Sequence, residues 1–358
     1  MCGQMKTKVI TCMEEEDKSC LREAGEILRA GGLVAFPTET VYGLGGDALN
    51  RESSKKIYAA KGRPSDNPLI VHICRWEDIY RIVSDAPQHA DILKKAKKLS
   101  DAFWPGPLTM ILPKSEEVPR ETTGGLDTVA VRFPSHRTAA ALIDYAGGYV
   151  AAPSANTSGK PSPTQAKYVL EDMDGRIDMV IDGGEVGIGL ESTIVDLTCD
   201  PPEILRPGYV TKEMLSGVLG RVETDAAILS EHSKTPPKAP GMKYRHYAPK
   251  GELTIVTGAP ERVTEYVNRQ LAEASTEGKR TGVIAAKETA ASYRADSVKI
   301  AGSRQDELLV ARNLYTILRE FDDEQVDVMY AEAFDGEGIG QAIMNRLLKA
   351  AGHHVIEV

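Results

Sequence analysis

The sequence predicts an α/β protein of two domains, the second a smaller doubly wound domain with a largely parallel sheet. Three observations predict it. Over residues 1–220, short apolar runs bounded by Gly, Pro and Asn alternate with helical stretches. Residues 221–250 lose that alternation and gather prolines, as an extended semi-rigid linker does. From 251 to 358 strand and helix patterns alternate again, and regularly, as in βαβ units. A chain of 358 residues gives each domain enough length for a core of its own.

Taken in order, residues 21–30 predict a first helix. The stretch 32–73 then organises the domain around it. The apolar run Leu33–Phe36 is halted by Pro37, as expected of a buried strand that feeds a loop. The loop Thr38–Gly46 is rich in hydroxyls and glycines. Asn50 predicts the N-cap of a helix, and Gly62, free to take the left-handed conformation, predicts its C-cap. Lys61 and Arg63 flank that glycine, where the helix dipole favours cations. Pro64 stops the helix and Asn67-Pro68 leads into a strand at 69–73. A helix over 87–103 ends at the doubly broken turn Trp104-Pro-Gly-Pro107. Strands at 108–112 and 128–133 follow, joined by a polar loop with Lys114 and Arg120, then a helix at 136–147 and a strand at 149–152. Pro153–Pro163 reads as a rigid, hydroxyl-rich loop. A helix from about 164, strands at 179–182, 191–197 and 203–206, and a helix at 211–219 ending at Gly220 close the domain.

The linker carries more than a spacer needs: Lys243, Tyr244, Arg245, His246 and Tyr247 stand together between prolines. Residues 238–249 therefore read as a lid, restricted by its prolines. In the second domain, strands at 252–257, 281–286, 297–300 and 326–334 alternate with helices at 260–275, 305–322 and 337–351. The turn Asp335-Gly-Glu-Gly-Ile-Gly340 fails as a dinucleotide fingerprint. Gln341 stands where the third glycine should be, and no acidic residue follows at the required distance. It reads as a strand-to-helix turn.

Several classes are set aside by composition. The longest apolar runs fall far short of a membrane span, and the first residues turn acidic where a signal peptide would be apolar. The five cysteines contain no CxxC, which argues against a zinc site and against a disulfide framework. A reducing cytoplasm is the expected compartment. A formal charge of -9 argues against broad non-specific nucleic-acid binding, which needs a basic face, while leaving room for a local basic cleft.

GxxxxGK[ST], GxSxG and HExxH are all missing. What recurs instead is a cation beside hydroxyls at strand ends: Lys61 and Arg63, Arg132, Lys160 and Arg206. Brought into one cleft, they would hold a polyanion such as a triphosphate, with arginine forks on phosphate or carboxylate. Ser154, Asn156, Thr157, Ser158 and Ser162 offer short donors of the kind that line phosphates. Ser192 and Thr193, after the run Gly183–Gly189, offer more.

The blocks KGRPSDNPL, PGPLT, VAVRFP, APSANTSGKPSPT, ESTIVDL, LRPG and PGMKYRHYAP, in this order, resemble the YrdC-type threonylcarbamoyl-AMP synthases. The proline-rich linker and the last domain match the longer, two-domain branch. The resemblance covers the chain from about residue 20 onward. It implies a YrdC-like, twisted open-sheet catalytic domain over 1–220, a linker or lid over 221–250, and a Rossmann-like domain over 251–358. The implied activity is the joining of L-threonine, bicarbonate and ATP into L-threonylcarbamoyladenylate with release of pyrophosphate. That product feeds a tRNA threonylcarbamoyl-transferase machinery; tRNA itself is a candidate partner, and a membrane is not.

The resemblance also implies roles. Threonine would be held by Thr40, His72, Arg132 and Ser192, with backbone near Ala152. ATP would lie along Arg63, Asn67, Thr128, Ser154, Asn156, Ser162 and Arg206, with Lys61 on the phosphates and Tyr247 closing over them. Lys61, Arg63 and Ser154 are the expected catalytic groups. No side chain stands out as a metal ligand or as a general base, so magnesium is expected to arrive on the ATP phosphates. Two readings from other classes are a non-catalytic RNA-binding module and a carbamoyltransferase of metal-cofactor maturation. The latter would carry an acylphosphatase-like segment and zinc-finger cysteines that this sequence lacks.

Overall fold

The structure, a computed structural model, describes residues 6–12, 18–225, 228, 246–334 and 336–358. The expected lid residues Lys243, Tyr244 and Arg245, and Asp335 of the glycine turn, lie outside the described residues. The chain divides into two compact units: Met1–Ser158, Ser162–Gly187 and Glu191–Lys243 form one, while Gly159–Pro161, Ile188–Leu190 and Tyr244–Val358 form the other.

The first unit begins with β1 (Lys8–Thr11), α1 (Lys18–Arg29), β2 (Val34–Phe36), β3 (Gly43–Asp47), α2 (Arg51–Lys61) and β4 (Ile70–His72). It continues with α3 (Ile79–Ile82), α4 (Ala90–Phe103), β5 (Leu108–Pro113), β6 (Thr128–Arg132), α5 (Arg137–Tyr145) and β7 (Val150–Ala151). It ends with α6 (Ala166–Met173), β8 (Met179–Asp182), β9 (Thr193–Asp196), β10 (Glu203–Arg206), α7 (Lys212–Leu219) and β11 (Glu223–Thr224). Its mixed sheet runs β1-β8-β2-β3-β7-β4-β6-β5-β9-β10-β11. The expected open α/β sheet is present.

Burial explains why these strands read as unbroken apolar runs. β2, β4 and β5 are buried along their whole length, so both faces are covered and no alternation is possible. Two apolar clusters do the covering, one around Leu44, Ile57, Val71 and Val131, the other around Leu28, Phe36, Leu142 and Ile181. Phe36 is fully buried and contributes about 1.5–3 kcal/mol of transfer free energy on its own.

α2 follows its sequence signals closely. The Asn50 side chain accepts from Glu52 N, and Gly62 takes φ 60°, ψ 35°, the left-handed cap. That cap turns the chain sharply between Lys61 and Arg63. Two expectations need correction. The loop expected over Thr38–Gly46 contains a strand, β3, paired antiparallel with β2 from Phe36↔Gly43 to Val34↔Gly45. Glycine-rich sequence masks it. The glycines are required by close approach: a Cβ on Gly45 would stand 2.9 Å from the Phe36 ring. β1 was also missed; it lies at the sheet edge, paired parallel with β8 and mostly exposed, so it carries no buried apolar run.

The second unit contains β12 (Glu252–Thr257), α8 (Pro260–Thr276), β13 (Thr281–Ala286), β14 (Ser297–Gly302), α9 (Glu307–Asp323), β15 (Val328–Glu332), α10 (Gly338–Ala350) and β16 (Val355–Glu357). Its sheet order is β14-β13-β15-β12-β16, and every pairing is parallel. The Rossmann-like expectation holds, with β16 as an added edge strand that the sequence reading omitted. Residues 336–337 make the strand-to-helix turn between β15 and α10.

Candidate functional site

Two hydrogen-bonded groups of side chains meet around the loops of the first unit. The first is built on the end of α2. Lys61 is buried, and its ammonium donates to the carbonyls of Ser154 and, at 2.5 Å, Asn156. The Lys61 carbonyl in turn accepts from Ser158 N at 2.8 Å. The helix end thus grips the hydroxyl-rich loop from both sides. Within that loop the Ser154 hydroxyl donates to Asn156 Oδ1 at 2.5 Å, and Asn156 Nδ2 donates to the Thr157 carbonyl at 2.8 Å. Across the Gly-Pro turn, Arg63 Nη2 reaches the carbonyls of Asn67 and Pro68 at 3.3 and 3.1 Å. Asn67 is buried, and its Oδ1 has no hydrogen-bond partner.

The second group is built on strand register. His72 on β4 stands beside Arg132 on β6, and Arg132 stands opposite Thr109 on β5. Arg132 Nη1 donates to Thr40 Oγ1 at 2.9 Å, and Thr40 shares a 2.9 Å hydrogen bond with Thr38. Thr109 and Ser192 share another at 2.8 Å. Arg206 fastens Ser192 twice, Nε to its carbonyl at 3.0 Å and Nη2 to its hydroxyl at 3.2 Å. Ser162 donates to Glu191 at 2.6 Å, beside Ser192 in the chain.

Backbone hydrogen bonds join the two groups. The loop after β7 is stitched along residues 42–44 by Tyr42 N to Pro163 O, Leu44 N to Pro153 O and Ala155 N to Tyr42 O, at 2.8–2.9 Å. Ala152 N donates to Ile70 O, which sets this loop against β4. Ser154, Asn156 and Ser162 therefore come close to the segment that carries Thr40. Thr128 stands apart at the start of β6, opposite Pro113, four residues from Arg132. Tyr247 belongs to the second unit, where it is 5% exposed and its ring stacks on Tyr315 at 5.1 Å.

Burial keeps the histidine and the tyrosine of this region neutral. Burial, and then the Arg132 charge, pull the His72 pKa down to about 3, so this imidazole is neutral at physiological pH. Burial pushes the Tyr42 hydroxyl well above its usual range, which keeps it a neutral donor; it donates to the Gly184 carbonyl at 2.6 Å. Glu39 Oε1 lies 2.7 Å from Arg132 Nη2, an ion pair by distance. Yet Arg132 Nε and Nη2 and both Glu39 oxygens are buried without an aligned hydrogen bond. Buried polar atoms of this kind are uncommon in folded proteins and point to a ligand's contribution.

Glu39, Thr109 and Glu191 were not among the residues singled out from sequence. Each sits inside a block that was: Glu39 between Thr38 and Thr40, Thr109 in PGPLT, and Glu191 at the head of ESTIVDL. Among the described residues, no three His, Cys, Asp or Glu side chains group as a metal centre would require. No helix among them is long and apolar enough to cross a membrane.

A mixed open-sheet unit that gathers buried arginines and hydroxyls at its strand ends, followed by a parallel α/β unit, defines a two-domain α/β protein with a polar ligand site in its first unit. The comparisons with known proteins are specific. A family model described as Telomere recombination matches residues 26–208, and one described as Threonylcarbamoyl-AMP synthase, C-terminal domain, matches 210–352. The threonylcarbamoyl-AMP synthase of Pyrococcus abyssi is 48% identical over 352 residues, 98% of this chain and 100% of that one. That of Bacillus subtilis is 49% identical over 337 residues, 94% of each. The crystal structure of P. abyssi Sua5 complexed with L-threonine superposes with a TM-score of 0.90 at 47% identity, over 98% of this chain and 100% of that one. The chain belongs to the threonylcarbamoyl-AMP synthase family.

Proposed function

We propose that this protein makes L-threonylcarbamoyladenylate from L-threonine, bicarbonate and ATP, releasing pyrophosphate, as the first step of tRNA threonylcarbamoyladenosine modification. One observation carries the reading beyond family membership. Arg132 is buried beside Thr40, and its Nε and Nη2 donors have no aligned partner. Two parallel N–H groups of that kind fit the carboxylate of an amino acid. Threonine is assigned to Thr40, His72, Arg132 and Ser192, with the backbone at Ala152. ATP is assigned to Arg63, Asn67, Thr128, Ser154, Asn156, Ser162 and Arg206, with Lys61 on the phosphates.

The chemistry is a nucleotidyl transfer in two steps. The threonine amine, deprotonated, adds to the bicarbonate carbon, and loss of water leaves a carbamate. A carbamate oxygen then attacks the α-phosphate and pyrophosphate leaves. Carbamate and triphosphate are both anionic, so the chain's work is to bring like charges together. Lys61, Arg63 and Arg206 supply positive charge and oriented donors for that approach. Neutral His72 adds no charge of its own beside Arg132 and leaves the guanidinium as the local cation. Magnesium carried on the ATP phosphates supplies further positive charge.

The test is pyrophosphate release from ATP, with threonine and bicarbonate omitted in turn. Release that needs both supports the reading. Release that needs neither, or none at all with tight RNA binding, sinks it in favour of an ATPase or a binding module.

A further inference from the structure

Resting on the reading that Arg132 grips the threonine carboxylate, we propose that Glu39 makes this site select α-amino acids over other carboxylic acids. Glu39 holds the Arg132 fork until a ligand carboxylate displaces it, and then receives that ligand's ammonium group.

The geometry around Arg132 carries the first half. Its side chain is 5% exposed, and Nη1 is committed to Thr40 Oγ1. The remaining edge, Nε with Nη2, is the side that receives both oxygens of a carboxylate in parallel. Glu39 stands at that edge, 2.7 Å from Nη2, but out of alignment with either nitrogen. A ligand carboxylate laid along the edge makes two aligned, charge-assisted bonds where Glu39 makes none. Glu39 is therefore the weaker occupant of its own fork.

The second half follows from what displacement does to Glu39. Its side chain is only 13% exposed, and neither oxygen has an aligned donor even beside Arg132. Moved off the fork, it is a nearly buried carboxylate without a countercharge, which is costly. His136 does not supply one. Burial holds its pKa below the usual histidine range despite the opposing pull of Glu39, so the ring is neutral near pH 7. An α-amino acid solves this itself, because its ammonium stands one carbon from its carboxylate. A ligand that displaces Glu39 with its carboxylate then presents Glu39 with a cation. A hydroxy acid or a simple carboxylic acid displaces Glu39 and leaves it unpaired. Since the carbamate forms on that same amine, the contact admits only molecules that carry the reacting group.

The experiment measures dissociation constants by calorimetry for L-threonine and for 3-hydroxybutanoate, which is threonine with the amine replaced by hydrogen. Both are titrated into the intact protein, Glu39→Gln and Glu39→Asp. Removing an internal competitor helps both ligands equally and cancels in the ratio of their affinities; losing the amine partner does not cancel. The preference for threonine should fall at least about tenfold in Glu39→Gln, the scale of one charged hydrogen bond. The affinity for 3-hydroxybutanoate itself should rise, by about threefold or more, because its competitor is gone. If Glu39→Gln fails to fold, Glu39→Asp carries the test, since it keeps the charge but withdraws it by about one carbon–carbon bond. It too should lose preference. An unchanged ratio in a folded variant overturns the amine contact, and an unimproved affinity for 3-hydroxybutanoate overturns the displacement. If the intact protein binds neither molecule, the threonine reading itself has failed and the proposal falls with it.

Discussion

Each unit holds a largely buried carboxylate, Glu332 at the end of β15 and Glu39 in the loop after β2, and the two are treated in opposite ways. Glu332, at the end of β15, is 3% exposed and fully engaged. It accepts from Tyr293 at 2.6 Å, from Ala286 N at 3.2 Å, from Arg304 Nη2 at 2.5 Å and from the Thr289 hydroxyl. Glu39, beside Arg132, has a cation at ion-pair distance and no aligned donor. A buried charge whose lone pairs are all used belongs to the scaffold, because any ligand would have to break bonds to reach it. A buried charge left out of alignment costs stability that only a ligand returns. The difference teaches where to look: the closed network holds a fold, and the open one awaits a partner.

The sharpest way to break this contrast is at Lys61. Lys61→Met keeps the buried stem but removes the ammonium that holds the Ser154 and Asn156 carbonyls and is assigned to the phosphates. With charged hydrogen bonds at about 1.5–3 kcal/mol each, adenylate formation should fall at least about a hundredfold. Pyrophosphate release measured beside circular dichroism checks it. A loss of only a few-fold in a folded variant would make Lys61 a strut for the loop and nothing more.

The closed network supplies the second test. Glu332→Leu strands Tyr293, Thr289, Ala286 N and Arg304 together, and should cost about 3–5 kcal/mol of stability. Threonine affinity of the folded protein should stay as it was. A variant that loses threonine binding but keeps its denaturation midpoint would reverse the contrast drawn between the two carboxylates.

Much of this was legible in the sequence, for reasons that can be stated. The helix α2 was readable end to end because Asn50 and Gly62 mark its caps by side-chain and backbone chemistry that is local. The parallel unit was readable because its strands and helices alternate at regular lengths. β3 was not, since its glycines serve close packing against Phe36 and give no strand signal. The site divides in the same way. Lys61 and Arg63 stand out beside a Gly-Pro turn, and Arg132 ends an apolar run. Glu39 could not be distinguished from an ordinary loop carboxylate. Its importance comes from the Arg132 guanidinium of β6, which is distant in sequence and adjacent only after β4, β6 and the Thr40 segment are assembled.

Arg132→Lys sharpens the open side of the contrast. An ammonium cannot present two parallel donors, so the threonine requirement should rise about ten- to a hundredfold while the ATP requirement changes much less. Parallel titrations of both substrates decide it, and equal weakening would move Arg132 to the nucleotide or to the scaffold.

The smallest expected effect concerns His72, which stands beside Arg132 as a neutral ring. Its Nδ1 lies 3.1 Å from the Ile70 carbonyl, and its pKa in the fold is about 3 against an ordinary 6.5. The sign follows from which state binds protons. Below pH 6.5 the unfolded chain protonates this histidine and the folded chain does not, so stability is fully present above 6.5 and is lost as the pH falls toward 3. From 6.5 down to about pH 5.5 the loss should be about 1 kcal/mol. His72→Gln removes that titration and leaves every other one in place, His136 included. Urea denaturation of both proteins at the two pH values should therefore show the intact chain losing about 1 kcal/mol more than the variant. Equal losses would mean that His72 carries its proton inside the fold. A second positive charge would then stand beside Arg132, ready for a ligand carboxylate, and the assignment of His72 as a neutral contact would fall.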